Sequence, residues 1–224
     1  MAVSLSPSPD ISPRARLIEA AAEIFGTYNL EGATTRQLAQ QAGVNQAAIP
    51  YYFGGKEGLY LATMEHFFTV HTPRIQVLVA EIESRLSSER VTQTEALDLL
   101  KELLERLLEI LLRQQTNRSF GRIIIREQMQ PTKAFDLIYD RVIRHVHETI
   151  SALLAVILDR EPTDRLVILR AQMVVGQVLI FLSGRETIRR RLNLTGYSEA
   201  EFAEIKAALA EQLDLFRRKR GGRR

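Results

Sequence analysis

The chain has 224 residues, a formal net charge of +3, 46% hydrophobic and 25% charged residues, and no cysteine. That length buries a sizeable core in one or two domains, and that balance belongs to a globular protein rather than a disordered or fibrous one. The lack of cysteine excludes disulfides, thiolate nucleophiles and thiolate metal sites, and no apolar run approaches the roughly 18 uncharged residues of a membrane helix, so no membrane partner is expected.

Residues 1–12, MAVSLSPSPDIS, lack the basic segment and apolar stretch of a secretory leader. They read as a short disordered arm of a cytoplasmic protein. From Pro13, a favoured first-turn residue, a helix is predicted to Thr27 or Tyr28, with Leu17, Ile24, Phe25 and Tyr28 at helical spacing. Thr34 and Gln37 form a candidate capping box for a short helix that Gly43 ends in the left-handed conformation. Asn45 caps the next short helix, which ends at Gly54 and Gly55, and Lys56 begins a longer one through Leu59, Met64, Phe67 and Phe68.

Pro73 kinks or restarts the chain, and Thr92 caps a segment with Leu97, Leu100, Leu104, Leu107, Leu108 and Leu111 at three-and-four spacing. Helices follow at Asn117 to Met129 and Ala134 to Leu158. Another is opened by Pro162 and is apolar almost all round from Ala171 to Leu182, and a last runs from about Ser198 to Arg218. No segment alternates with period two, so the fold class is all-α. The apolar last two helices predict a four-helix bundle shared with a second copy through Met173, Gly176, Ile180, Phe202, Ile205, Leu209, Leu213 and Phe216. The competing reading is that both close an intramolecular core.

Charge is unevenly placed. Residues 217–224 carry six basic side chains, and residues 1–66 carry four basic against six acidic ones. Bulk charge therefore gives no support to nucleic-acid binding, which would have to rest on the local placement of individual donors. Two short helices joined by a glycine turn, the second ending in aromatics, make a helix-turn-helix, whose second helix enters the major groove.

The stretch TTRQLAQQAGVNQAAIPYYFGGKEGLY, followed by roughly 150 residues of helices, resembles the TetR family of bacterial one-component transcription regulators. REQMQPTKAFDLIYDRVI (126–143) and FLSGRETIRRRLNLTGYSEAE (181–201) resemble its CecR-like branch, whose regulators control efflux and antibiotic-sensitivity genes. The resemblance implies a helix-turn-helix domain at 13–66, a helical effector-binding and dimerisation domain at 67–216, and a basic flexible tail at 217–224. Asn45 would leave helix-end donors near a phosphate, Gln46 can pair with adenine N6 and N7, and Ala47 can touch a thymine methyl. Tyr51, Tyr52 and Lys56 match the family's phosphate contacts, and Thr34, Thr35 and Arg36 begin the preceding helix as further phosphate contacts. Many members carry tyrosine where this chain has Pro50, which removes a helical donor and is expected to leave the recognition helix short or loosened near its end.

The expectation is a homodimeric repressor on palindromic double-stranded DNA, released by an unknown small-molecule effector through the helix from Lys56 to about His71. Pocket candidates are Phe120, Ile124, Gln128, Met129, Phe135, Tyr139 and His145. An architectural DNA-binding dimer is the alternative. An enzyme is the lesser one: His145 and His147, two apart on a helix, point roughly 200° apart and cannot share a metal, and no glycine-rich phosphate loop or G-x-S-x-G motif occurs. No cofactor is expected.

Overall fold

The computed structural model describes residues 12–88, 90–112 and 115–216, without the side chains of residues 115–118. The arm up to residue 11 and the basic tail at 217–224 lie outside the described residues. The chain divides after Phe67 into two compact units, and the described residues form helices throughout and no strand.

The first unit is built on α1 (Pro13–Thr27), where the Ser12 hydroxyl accepts from the Ala15 N–H and Pro13 takes the first turn, in which a missing donor costs nothing. Its buried stripe is Leu17, Ile18, Ala21, Ala22 and Phe25. Tyr28, expected on that stripe, stands past the helix end in extended backbone and is exposed. α2 (Thr35–Ala42) carries the full Thr34–Gln37 capping box and ends at Gly43, φ 62°. α3 (Ala48–Phe53) ends at Gly54, φ 73°, and Gly55 follows at φ 140°. Two successive residues in this region need glycine, so the chain can reverse and begin α4 (Lys56–His71) immediately. Leu17, Phe25, Leu38, Ile49 and Leu59 are fully buried together, with the Phe25 ring edge-on to Tyr60.

Pro50 lies in the first turn of α3, so its effect falls at the start of that helix rather than near its end. The Ala48 and Ile49 N–H groups bond three residues back, to Asn45 and Gln46. This tight winding gives the Gln46 carbonyl a partner that proline at position 50 cannot supply.

The second unit centres on α6 (Gln93–Leu112), which Thr92 and Glu95 cap and whose Leu97, Leu100, Leu103, Leu104 and Leu108 are fully buried. Around it pack α5 (Pro73–Ser88), α7 (Gln115–Met129), α9 (Arg144–Leu158), α10 (Arg165–Ser183) and α12 (Glu199–Asp214). The single helix expected from Ala134 to Leu158 is α8 (Lys133–Ile138) and α9 joined by a π-helical turn, Tyr139–Ile143. Pro162 sits in the turn before α10, which Asp164 caps through the Leu166 N–H. α11 (Arg185–Leu192) was not expected, because its sequence is dominated by arginine and has no apolar stripe.

α10 is long and apolar enough, by length and composition, to cross a membrane. A count of uncharged runs misses it because Arg170 divides the run. One face, with Val167, Ala171, Val174 and Val178, is buried in the unit; Leu166, Leu169, Met173 and Ile180 are exposed. A Cβ added at Gly176 would meet nothing within 4 Å.

Candidate nucleic-acid interface

Apolar side chains fix the helix-turn-helix from behind: Leu38, Ala42 and Ile49 are buried against α1, and the half-buried Phe53 ring carries the Arg14 guanidinium 5.4 Å from its centroid. The Arg16 guanidinium donates to the Gly43 carbonyl at 3.3 Å, tying α1 to the turn. Sequence reasoning passed over both arginines, although their place in the first turn of α1 was the available signal.

With the inner face anchored, the other face is free. Thr34, Arg36, Asn45, Gln46, Ala47, Tyr51 and Tyr52 are exposed, Tyr51 at 81%, and Thr35 and Lys56 are half-buried. The Asn45 side chain accepts from the Ala47 N–H at 2.8 Å, so it organises the start of α3. Gln46 is held: its amide donates to the Thr35 hydroxyl at 2.7 Å, which leaves its carbonyl oxygen and second N–H outward. The two tyrosine rings stand edge to face, centroids 4.8 Å apart, so Tyr52 buttresses Tyr51. The Lys56 ammonium donates to the carbonyls of Ala33 at 3.0 Å and Glu31 at 3.4 Å. It ties the start of α4 to the turn before α2 and keeps one proton uncommitted.

The seven pocket candidates do not form one site. Gln128, Phe135 and Tyr139 line a cavity of about 500 Å³, with Ile168 and Gln172 of α10 also lining it. His145 lines a separate cavity of about 380 Å³ with Glu83 and Asp140. Phe120 is buried, Ile124 packs on the core, and Met129 is exposed. The reason is helical phase: Phe120 and Ile124 share the inward face of α7, and Met129 at its end has rotated past it. Ile143, His147 and Ser151, none of them among the seven, also line the larger cavity. Burial pushes the His147 imidazole below its ordinary value.

The eight residues expected at a second copy divide. Met173 and Ile180 are exposed and Gly176 opens on the same helix, but Phe202, Ile205, Leu209 and Leu213 are buried inside the protomer and Phe216 packs partly on the core. Their spacing fits a face for another chain equally well, but α6 covers it, reinforced by the Lys101–Asp214 ion pair at 2.8 Å. The exposed positions of α12 beyond its first turn are Ala203, Glu204, Ala207, Ala208, Glu211 and Gln212, with Leu215 exposed just past its end.

The family described as bacterial regulatory proteins, tetR family, matches residues 17–63, and the C-terminal domain of the HTH-type transcriptional dual regulator CecR matches residues 96–217. The HTH-type transcriptional dual regulator CecR of Shigella flexneri is 32% identical over 200 residues, covering 89% of each chain. Among solved structures, AmtR of Mycobacterium smegmatis superposes with a TM-score of 0.61 at 18% identity, covering 92% of this chain and 88% of that one. FadR of Bacillus subtilis, solved with stearoyl-CoA, gives 0.57 at 15% identity, covering 88% and 96%. At these identities the two structures establish the fold.

Proposed function

The chain belongs to the TetR family of transcriptional regulators, in its CecR-like branch, and on that premise we propose that it is a homodimeric repressor acting in the cytoplasm, released from a palindromic operator by a small molecule. The observation that carries this reading is the exposed row of Gln46 and Ala47, in the turn that leads into the recognition helix, and Tyr51 on that helix, whose other face is locked into the unit by Ile49. Gln46 and Ala47 would read base edges, while Thr34, Thr35, Arg36, Asn45, Tyr51, Tyr52 and Lys56 would position the helix on phosphates. With few cations in this set, binding should lose affinity with salt less steeply than for a highly basic protein.

The exposed apolar face of α10 supports the dimer. Leu166, Leu169, Met173 and Ile180 recur at helical spacing, and open space at Gly176 admits a second helix closely. Ala203, Ala207 and Ala208, exposed on α12 beside Glu204 and Glu211, would supply the other surface of a four-helix bundle. An effector that binds better to a dimer whose reading helices are wrongly spaced lowers operator affinity by that difference alone. The Shigella flexneri relative is named a dual regulator, which supports a second reading in which the sign of regulation depends on the operator. Control of efflux or antibiotic-sensitivity genes is carried over from the branch.

Selection of bound sites from random duplex DNA by the purified protein, followed by titration of the winning site, tests the proposal. A palindrome with saturable binding is expected. A folded dimer that enriches no sequence would overturn it.

A further inference from the structure

The cavity beside the π-helical turn has a wall that an unbroken α-helix would not build. Phe135, Tyr139, Ile143, His147 and Ser151 all line it, each four residues after the last. At about 3.6 residues per turn, a step of four overshoots a full turn by roughly 40°, so the four steps from Phe135 to Ser151 would drift by roughly 160°. The two ends would face opposite ways. Between them the chain widens: the Arg144 N–H donates to the Tyr139 carbonyl, five residues back. A turn that accommodates an extra residue takes back part of the drift and keeps the stripe on one side, and such turns occur frequently at functional sites.

The chemistry of the wall is specific. The Phe135 and Tyr139 rings lie 6.1 Å apart and 31° from parallel, so they offer π-faces rather than charge. Burial keeps the His147 imidazole neutral at pH 7, and with the Ser151 hydroxyl and the Gln128 and Gln172 amides it supplies uncharged hydrogen-bonding groups. The charged groups lining the cavity are Arg144 and Glu148, both exposed, of opposite sign, and Arg144 is paired with Asp140 at 2.9 Å. A ligand bearing a single charge would give up water without finding a dedicated buried counter-charge.

We infer that this cavity binds an uncharged molecule with two or three aromatic rings and hydrogen-bonding edges. Its volume of about 500 Å³ suits that size. On the regulator reading above, on which this consequence rests, the cavity is where the effector acts.

The full-length protein is titrated with N-phenyl-1-naphthylamine, which is uncharged, and with anilinonaphthalene sulfonate, which has similar rings and an anionic group. The uncharged probe is expected to bind saturably at one site per chain, and the sulfonate about tenfold more weakly. Ile168→Trp fills the cavity from an exposed position and Tyr139→Ala removes an exposed ring; each should weaken the uncharged probe by about tenfold at an unchanged melting temperature. Absence of saturable binding, equal binding by both folded variants, or tighter binding of the sulfonate would overturn the inference. Site-selected DNA is titrated with the same preparations. Cavity binding without sequence-specific DNA binding overturns only the regulator reading, and DNA binding without cavity binding overturns only this inference.

Discussion

Replacing Lys56 by methionine separates two tasks of one ammonium. Its Nζ bonds the Ala33 carbonyl at 3.0 Å and the Glu31 carbonyl at 3.4 Å, the second near the limit of a useful bond. A hydrogen bond to a charged group contributes about 1.5–3 kcal/mol, and at a half-exposed site the lower end applies, so Lys56→Met should cost about 1.5 kcal/mol. Methionine keeps most of the apolar stem in place, so little of that loss is packing. At roughly 4–8 °C per kcal/mol for a unit of this size, its melting transition should fall by about 6–12 °C. The remaining proton makes a different mark. Each phosphate contact adds about 0.9 to the dependence of log affinity on log salt, so a dimer losing two contacts should show a slope flatter by about 1.8. Thermal melts monitored by circular dichroism and operator titrations at several salt concentrations read the two effects separately. A melting temperature within about 2 °C of wild type would refute the tether and the magnitude built on it. An unchanged salt slope would refute the phosphate contact.

Thr35→Val removes the acceptor that holds the Gln46 amide at 2.7 Å, so discrimination at one base pair per half-site should fall by about 1–3 kcal/mol while Thr35→Ser retains it. A binding profile over all single-base operator variants checks this, and uniform weakening at every position would count against it. In Gly58→Ala the new Cβ would lie 1.8 Å from the Phe53 carbonyl oxygen, forcing the end of α3 away from α4. A loss of about 3 kcal/mol is expected in urea titration; an unchanged midpoint would show that the junction opens freely. His147 has a folded-state pKa lowered by burial, so the unfolded chain binds its proton first. Its contribution is complete above about pH 6.5 and is lost as pH falls through 6.5 toward the lower folded value, with a slope of at most about 1.4 kcal/mol per pH unit. Urea midpoints measured across that window should fall more for wild type than for His147→Gln, and superimposable pH curves would sink the assignment.

Much of the first unit was written locally. Pro13 with Ser12, the Thr34–Gln37 box, Gly43, and the Gly54–Gly55 pair each specify a start, stop or reversal through bonds between residues a few places apart, so the helix-turn-helix and its exposed row were legible. The displaced effect of Pro50 was a matter of phase: a start only two residues later puts the proline in a first turn.

The sequence by itself determined the all-α class, the boundaries of α1, α2 and α4 and the residues exposed at and around α3, because capping, glycine conformation and apolar period act within one or two turns. Tertiary structure decided which apolar faces meet. Phe202, Ile205, Leu209 and Leu213 look alike whether α6 or a second chain covers them, and only their burial within the protomer tells. It also decided that Lys56 and Gln46 are tied to residues 11 to 25 places away, and that a π-helical turn brings Phe135 and Ser151 to one cavity. Periodicity records which side of a helix is apolar. What that side touches depends on contacts between residues far apart in sequence, which no local pattern encodes.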